Sequence, residues 1–267
     1  DFSNKNQLFF SVGLAEAVKA AWIEPMRTEK NKINGSMQAT LALWKSKNHV
    51  ASAGSYYVLL AMSHYYYGRY QQADECLDAV EEFLTGMTDN VLKRQWYAFK
   101  ILNALRYQHE STANKSALES TLAPLLEQLK IWANLGPLLK PYLALCEAEW
   151  LRCFGGTSEK IFMAYITAIE SASQQDYLFL NGYLNEIFAE WLLQEHWSSY
   201  QHYLKLSTCL YQKCGYKGKE IQLIEKYPLI LKDKAKDISH NLGNADFTEK
   251  LVLPDLDIDY LVKSSLA

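Results

Sequence analysis

Residues 181–228 read NGYLNEIFAEWLLQEHWSSYQHYLKLSTCLYQKCGYKGKEIQLIEKYP. Leu184, Ile187, Phe188, Trp191 and Leu192 return at helical spacing, and Tyr200, Tyr203, Leu204, Ser207 and Tyr211 do so again after a short break. Residues three and four apart share one face of an α-helix, so each run is an amphipathic helix with one apolar stripe. Small Ser207 lies in the second stripe, at a position for close packing. Gly215 follows that run, where a left-handed glycine closes a helix, and Pro228 stops the next one.

The same period extends upstream. Leu143, Cys146, Trp150 and Cys153 form one stripe, and Ile161, Ala164, Tyr165, Ala168, Ile169 and Ala172 form another. Breaks fall at Gly68, at Thr85-Gly86, at Gly136-Pro137 (with Pro141 suited to a first helical turn) and at Gly155-Gly156. The spacing predicts helices over 6–23, 36–47, 51–67, 70–84, 88–109, 115–133, 138–154, 158–173, 176–194, 197–214 and 217–226. No sustained alternation of β-branched residues appears, and the alternating DLDID near the C-terminus is brief, so no strand is predicted. Scarce Gly (12) and Pro (6) agree with long helices rather than many turns. Short connections predict antiparallel neighbours.

Two helices per unit suggest a repeat. Gly68, Tyr70, Ala73, Leu77 and Val80 follow the tetratricopeptide (TPR) spacing closely. Gly156, Ser158, Ile161, Tyr165 and Ala168 follow it less well, and Glu195, Trp197, Tyr200, Leu204 and Ser207 keep the spacing without the glycine. A single helical hairpin cannot bury both faces, so such units must stack. The expected fold is all-α: stacked antiparallel helical hairpins in a TPR-like α-solenoid with a right-handed superhelix. A degenerate repeat domain is expected over 1–240, with a C-terminal linker and the start of a signalling helix over 241–267.

The composition excludes several classes. With 49% apolar and 21% charged residues in 267, the chain is an ordinary globular one. A net charge of −3 gives no global attraction for nucleic acid or anionic membranes. The five arginines, Arg27, Arg69, Arg94, Arg106 and Arg152, are scattered. The lysine-containing stretch from Lys213 to Lys236 also holds Glu220, Glu225 and Asp233, and reads as a solvated face. Five cysteines, Cys76, Cys146, Cys153, Cys209 and Cys214, include no CxxC and mostly sit among apolar residues, as reduced thiols in a cytoplasmic protein do. No apolar run reaches the roughly 18 residues that a membrane span needs. The start, DFSNKNQ, lacks a Met and a signal-peptide pattern, so the chain is expected to be a segment of something longer.

On these residues the stretch from Asn181 onward resembles the helical-repeat region of very large signalling kinases, in which a kinase-like domain and a STAND-type ATPase precede the repeats and a GAF sensor and histidine kinase follow. The family pattern of a tyrosine-rich helix, a glycine, a lysine four residues later, a leucine and a closing Glu-x-Tyr-Pro is matched by Tyr211, Gly215, Lys219, Leu223, Glu225, Tyr227 and Pro228. Asn185-Glu186 resembles its Asn-Glu pair. Leu256-Asp257, Leu261, Lys263 and Ser264 are similar to the segment that joins the repeats to the GAF domain, and Gly68–Leu84 to an earlier repeat. The resemblance covers roughly residues 50–267. Glu195 stands at an expected glycine, and Tyr216 and Gly218 depart from the small or aliphatic residues usual there. The resemblance implies a non-catalytic interaction and regulatory module of a multidomain signal-transduction protein, a sensor histidine kinase or a relative. A free-standing TPR-like adaptor or peptide-binding protein, and a segment of a STAND-type transcription regulator, are the alternatives.

Catalytic signatures are missing from the sequence. Gly215–Glu220 (GYKGKE) has the wrong glycine spacing for a phosphate loop, no Ser or Thr after Lys219 and no preceding strand. Asp255, Asp257 and Asp259 open like a calcium loop, but Tyr260 and Leu266 stand where Gly and Glu are required. His49, His64, His109, His196, His202 and His240 form no HxxxH or HExxH, and no GxSxG occurs. Glu147 and Glu149, two apart on a helix, diverge; Glu149 is read as part of a solvated helix face. The expectation is therefore no enzyme, no cofactor and no metal. The partners expected are a protein or peptide and the flanking domains of the same chain, not nucleic acid and not a membrane. Eighteen tyrosines and seven tryptophans should fill the spaces between hairpins. Tyr57, His64, Tyr183, Asn185 and Glu186 are the candidate partner-binding residues, because Asn, Tyr and Glu on a first helix can hold an extended peptide by hydrogen bonds. The tail 255–266, with Leu256, Leu261 and Val262, is a candidate for pairing with a second copy.

Overall fold

The computed structural model describes Ala15, residues 18–23, Met26 and residues 35–47, 49–87, 91–107 and 115–231. Expectations for the first 14 residues, for the 241–267 linker, for the DLDID segment and for the pairing tail lie outside them. Among the described residues every regular element is helical, and the architecture they form is all-α.

A π-helical turn, Lys19–Ile23, comes first, at the end of the predicted 6–23 helix. Then follow α1 (Gly35–Ser46), α2 (Val50–Tyr66), α3 (Tyr70–Glu81), α4 (Val91–Tyr107), α5 (Lys115–Leu135), a 3-10 turn (Pro137–Leu139), α6 (Lys140–Phe154), α7 (Ser158–Gln174), α8 (Leu178–Gln194), α9 (Tyr200–Lys213) and α10 (Lys217–Lys226). Pro141 sits in the first turn of α6, where its missing N–H has no helical partner to lose. Thr157 caps α7 by accepting from the Lys160 backbone N–H at 3.4 Å. α5 runs on through Pro124.

The helix ends share one device. Gly68, Gly155 and Gly215 have φ of 72°, 103° and 75°, and Asp176 and His196 have φ of 55° and 61°. The residue after each sends its N–H back to the carbonyl five positions earlier: Arg69 to His64, Gly156 to Leu151, Tyr177 to Ala172, Trp197 to Leu192 and Tyr216 to Tyr211, at 2.6–3.0 Å. These are Schellman closures, which satisfy orphan carbonyls and need one left-handed residue. The left-handed residue in the α6–α7 turn is thus Gly155 and not Gly156. In the α8–α9 turn it is His196 and not Glu195, so the left-handed residue stands one position earlier in the first turn and one later in the second, while Ile161, Tyr165, Ala168, Leu204 and Ser207 stay buried at the repeat spacing.

Helix pairing follows from burial. α2 and α8 carry apolar residues nearly all round and are buried nearly all round, whereas α3, α7 and α9 bury one stripe. The most extensive contacts join α2 to α3, α6 to α7 and α8 to α9, and α4 packs against α2, α3, α5 and α6. All five residues of the 184–192 stripe are buried. The chain also meets itself over long separations. Tyr66 on α2 lies edge-on to Phe179 and Tyr183 on α8, with centroids 4.8 and 4.7 Å away. Trp22 packs on Tyr66, Phe179 and Tyr216 and gives its indole N–H to the Tyr216 hydroxyl at 3.1 Å. Aromatic rings fill these junctions, because a flat edge-to-face ring buries much area without a branched side chain's crowding.

Candidate functional site

Buried charge is concentrated in two connected groups. In the first, Arg106 of α4 meets Glu149 of α6 through Nε–Oε2 at 2.8 Å and Nη2–Oε1 at 2.9 Å. The Tyr165 hydroxyl of α7 donates to the same carboxylate, and Arg152 stands 3.6 Å from it. Glu149 is buried, so the solvated face read from the sequence is corrected: its helix has an apolar neighbour on that side, and the charge is matched by a guanidinium 43 positions away. Burial and the adjacent carboxylate push the Tyr165 hydroxyl well up, which keeps it a proton donor to Glu149.

Glu190 of α8 links this group to the next. Its Oε2 is 3.8 Å from Arg106 Nη1 and its Oε1 2.6 Å from Lys226 Nζ of α10. Burial works against the charge, but Arg106 and Lys226 outweigh it and hold the carboxyl below the usual range.

The second group centres on Lys219 of α10. Its ammonium donates to the Tyr66 carbonyl at 2.7 Å, to Glu186 Oε1 at 2.9 Å and to Gln222 Oε1 at 2.8 Å. The rings of Tyr67, Tyr183 and Tyr211 surround it, with centroids at 5.6, 5.7 and 5.7 Å. Tyr211 donates to Glu186 Oε2 at 2.5 Å, so both carboxylate oxygens are held. Only 1% of the Lys219 side chain is exposed, which corrects the reading of this lysine stretch as a solvated face. Lys217 and Lys226 do lie nearer solvent, paired with Glu220 and Glu190. The second lysine of GYKGKE, Lys219, is therefore spent on internal partners.

The five candidate partner-binding residues divide into two sets. Tyr57 and His64, on α2, are half-buried. Tyr57 stacks on Phe83 at 6.0 Å, and the Lys45 ammonium lies 5.9 Å from its ring. Burial, then the Arg69 charge, lowers the His64 imidazole to about 4, so it is neutral at pH 7. Tyr183, Asn185 and Glu186, on α8, are buried. Tyr183 packs on Tyr65 and Tyr66; Asn185 donates to the Asn181 carbonyl at 2.7 Å; Glu186 is taken by Lys219 and Tyr211. Sequence reasoning missed Arg106, Lys219 and Glu190 as members of this interior. Their ordinary helical spacing carried no signal; the opposite charges that pair with them lie 33 or more positions off.

The cysteines are free thiols: Cys146 and Cys153 are buried, and Cys76, Cys209 and Cys214 half-buried. Among the described residues, no group of three His, Cys, Asp or Glu is placed to hold a metal, and no helix is long and apolar enough to cross a membrane. Comparison with protein-family models, with curated proteins and with solved structures finds no match.

Proposed function

We propose that the chain is a non-catalytic helical-repeat module for interaction and signal relay within a multidomain signal-transduction protein, a sensor histidine kinase or a relative, acting in the cytoplasm. In this reading α2/α3, α4/α5, α6/α7 and α8/α9 are antiparallel hairpins of a degenerate TPR-like solenoid with a right-handed superhelical turn. The observation that carries the relay is the long-range closure: Trp22 reaches Tyr216 across 194 positions and Lys219 reaches the Tyr66 carbonyl across 153. An element near one end of the sequence is thereby tied to an element near the other. A partner that favours the open or the closed arrangement shifts the population of both ends together. Polar side chains are engaged with one another in the interior rather than converging on a reaction centre, which supports binding and relay over chemistry.

A protein or peptide partner engages the half-buried face of α2 around Tyr57 and His64 in the closed arrangement. Tyr183, Asn185 and Glu186 become available to it only when the closure opens. The encoding gene tests the reading. A STAND-type ATPase before this segment and a GAF or kinase domain after it are expected in one reading frame. A frame holding the repeats alone overturns it in favour of a free-standing adaptor.

A further inference from the structure

The seam between α10 and α2 differs from the hairpin junctions α2–α3, α6–α7 and α8–α9. α10 packs along α9, and it reaches α2 by side chains rather than by helix-on-helix packing. The reach consists of Lys219 to the Tyr66 carbonyl, Gln222 to the Tyr67 carbonyl at 3.4 Å, and the Trp22–Tyr216 bond beside them. Tyr66 and Tyr67 form the last turn and the C-cap of α2, where carbonyls are orphaned and the helix end is negative. The ammonium of Lys219 satisfies that end from outside the helix.

The surroundings of the ammonium have the composition of a cation-recognition site. Three acceptors (Tyr66 O, Glu186 Oε1 and Gln222 Oε1) take its three N–H bonds. Three tyrosine rings from α2, α8 and α9 stand around it, where ring faces attract a positive charge. Glu186 is fixed from its other oxygen by Tyr211, whose hydroxyl stays protonated because burial and the neighbouring carboxylate both raise it. Gln222 comes from α10 with the ammonium itself; the Tyr66 carbonyl, Glu186 and the three rings come from other parts of the chain.

We propose that α10 is a releasable clasp: Lys219 is the chain's own ammonium ligand in a cation cage built by α2, α8 and α9, and withdrawing it frees α10 and the Trp22 turn as one unit. The signalling consequence of the clasp rests on the function proposed above; the clasp itself does not. Opening returns Lys219 and Glu186 to water, so the lost contacts are replaced by hydration, as they are not at an apolar helix junction. It uncovers the Trp22, Tyr66, Phe179 and Tyr216 rings and the Tyr183–Glu186 edge of α8. α8 carries the state of the clasp inward. Glu186 and Glu190 are one turn apart, and Glu190 bridges Lys226 of α10 and Arg106 of α4. Releasing α10 removes Lys226 from that bridge and leaves Glu190 to Arg106 alone.

Amide hydrogen exchange on the 267-residue chain tests the clasp. Lys219→Met keeps the apolar stem and removes the charge, and Glu186→Gln keeps the shape of the cage and removes its charge. Both are expected to speed exchange about tenfold in α10, in the last turn of α2 and around Trp22, with α6 and α7 unchanged. A uniform rise over all helices, or none, overturns the proposal. Should Lys219→Met not fold, Gln222→Ala, which cuts the tie to the Tyr67 carbonyl and one of the three bonds from the ammonium while leaving the charge in place, carries the same test with the same outcomes. Chemical rescue separates cation recognition from packing. In Lys219→Ala, n-propylammonium is expected to restore protection of α10 and n-propanol of equal size is not. Equal rescue by both, or by neither, overturns the cage as a cation site. A chain without flanking signalling domains would leave these results standing, and a failed clasp would leave the flanking domains in place.

Discussion

Arg106 and Glu149 form a two-point ion pair, 2.8 and 2.9 Å long, between helices 43 positions apart, with 10% and 3% of their side chains exposed. One N–H···O bond from Nη2 and the close approach of Nε to the second carboxylate oxygen fix the rotation of α4 against α6, which apolar stripes alone leave free to slide. A buried pair of this kind specifies an arrangement more than it stabilises one.

Removing one partner strands the other charge. Glu149→Gln is expected to destabilise the chain by about 3 kcal/mol in urea unfolding, because Arg106 is left buried with a neutral acceptor. The double change Arg106→Met with Glu149→Leu should recover most of that loss. A single-mutant cost below about 1 kcal/mol, or no recovery in the double variant, contradicts this account.

The left-handed residues give a cleaner prediction, since it depends on backbone geometry alone. His196 is exposed with φ of 61°, a conformation that costs a non-glycine residue about 1 kcal/mol. His196→Gly should raise stability by about that amount. Gly215→Ala should lower it by a similar amount, because a Cβ there meets nothing within 4 Å and only φ of 75° opposes it. Chemical denaturation midpoints at constant slope decide both.

Gly182 lets α9 approach α8. A Cβ there would lie 3.0 and 3.1 Å from ring carbons of Tyr211, whose hydroxyl holds Glu186. Gly182→Ala is expected to cost about 1–3 kcal/mol as overpacking. It should also shift the Lys219 environment, seen as faster exchange in α10 in that variant. An unchanged melting temperature would show that Tyr211 can yield.

His64 sets an acid dependence. Its imidazole falls from 6.5 to about 4 in the folded chain, chiefly by burial and then by Arg69. Between those values the unfolded chain binds the extra proton, so stability is full above pH 6.5 and declines as pH falls toward 4. His64→Gln should flatten that part of the pH profile. If the slope between pH 6.5 and 4 is unaltered, other groups carry it.

Much of this architecture could be read without coordinates. The stripes 184–192 and 200–211 predicted α8 and α9 to within three residues, because a helix is a local structure and its period is written in neighbouring positions. Turn chemistry was half legible. Glycine predicts Gly68 and Gly215 as left-handed residues, but His196 adopts the same φ under the closure imposed by the Leu192 carbonyl, and no residue preference announces it.

The sequence by itself determined that this chain is helical, where most helices begin and stop, and which faces are apolar, since those follow from side chains three and four positions apart. Tertiary structure alone decided the fate of the charges. Lys219, read among Lys213, Lys217 and Lys226, looks like one more solvated lysine; only the meeting of α10 with Tyr66 and Glu186 makes it a buried, fully bonded ammonium. Burial of a charge depends on what another part of the chain brings to it, and at separations of 33 to 194 residues that is not a local property of the sequence.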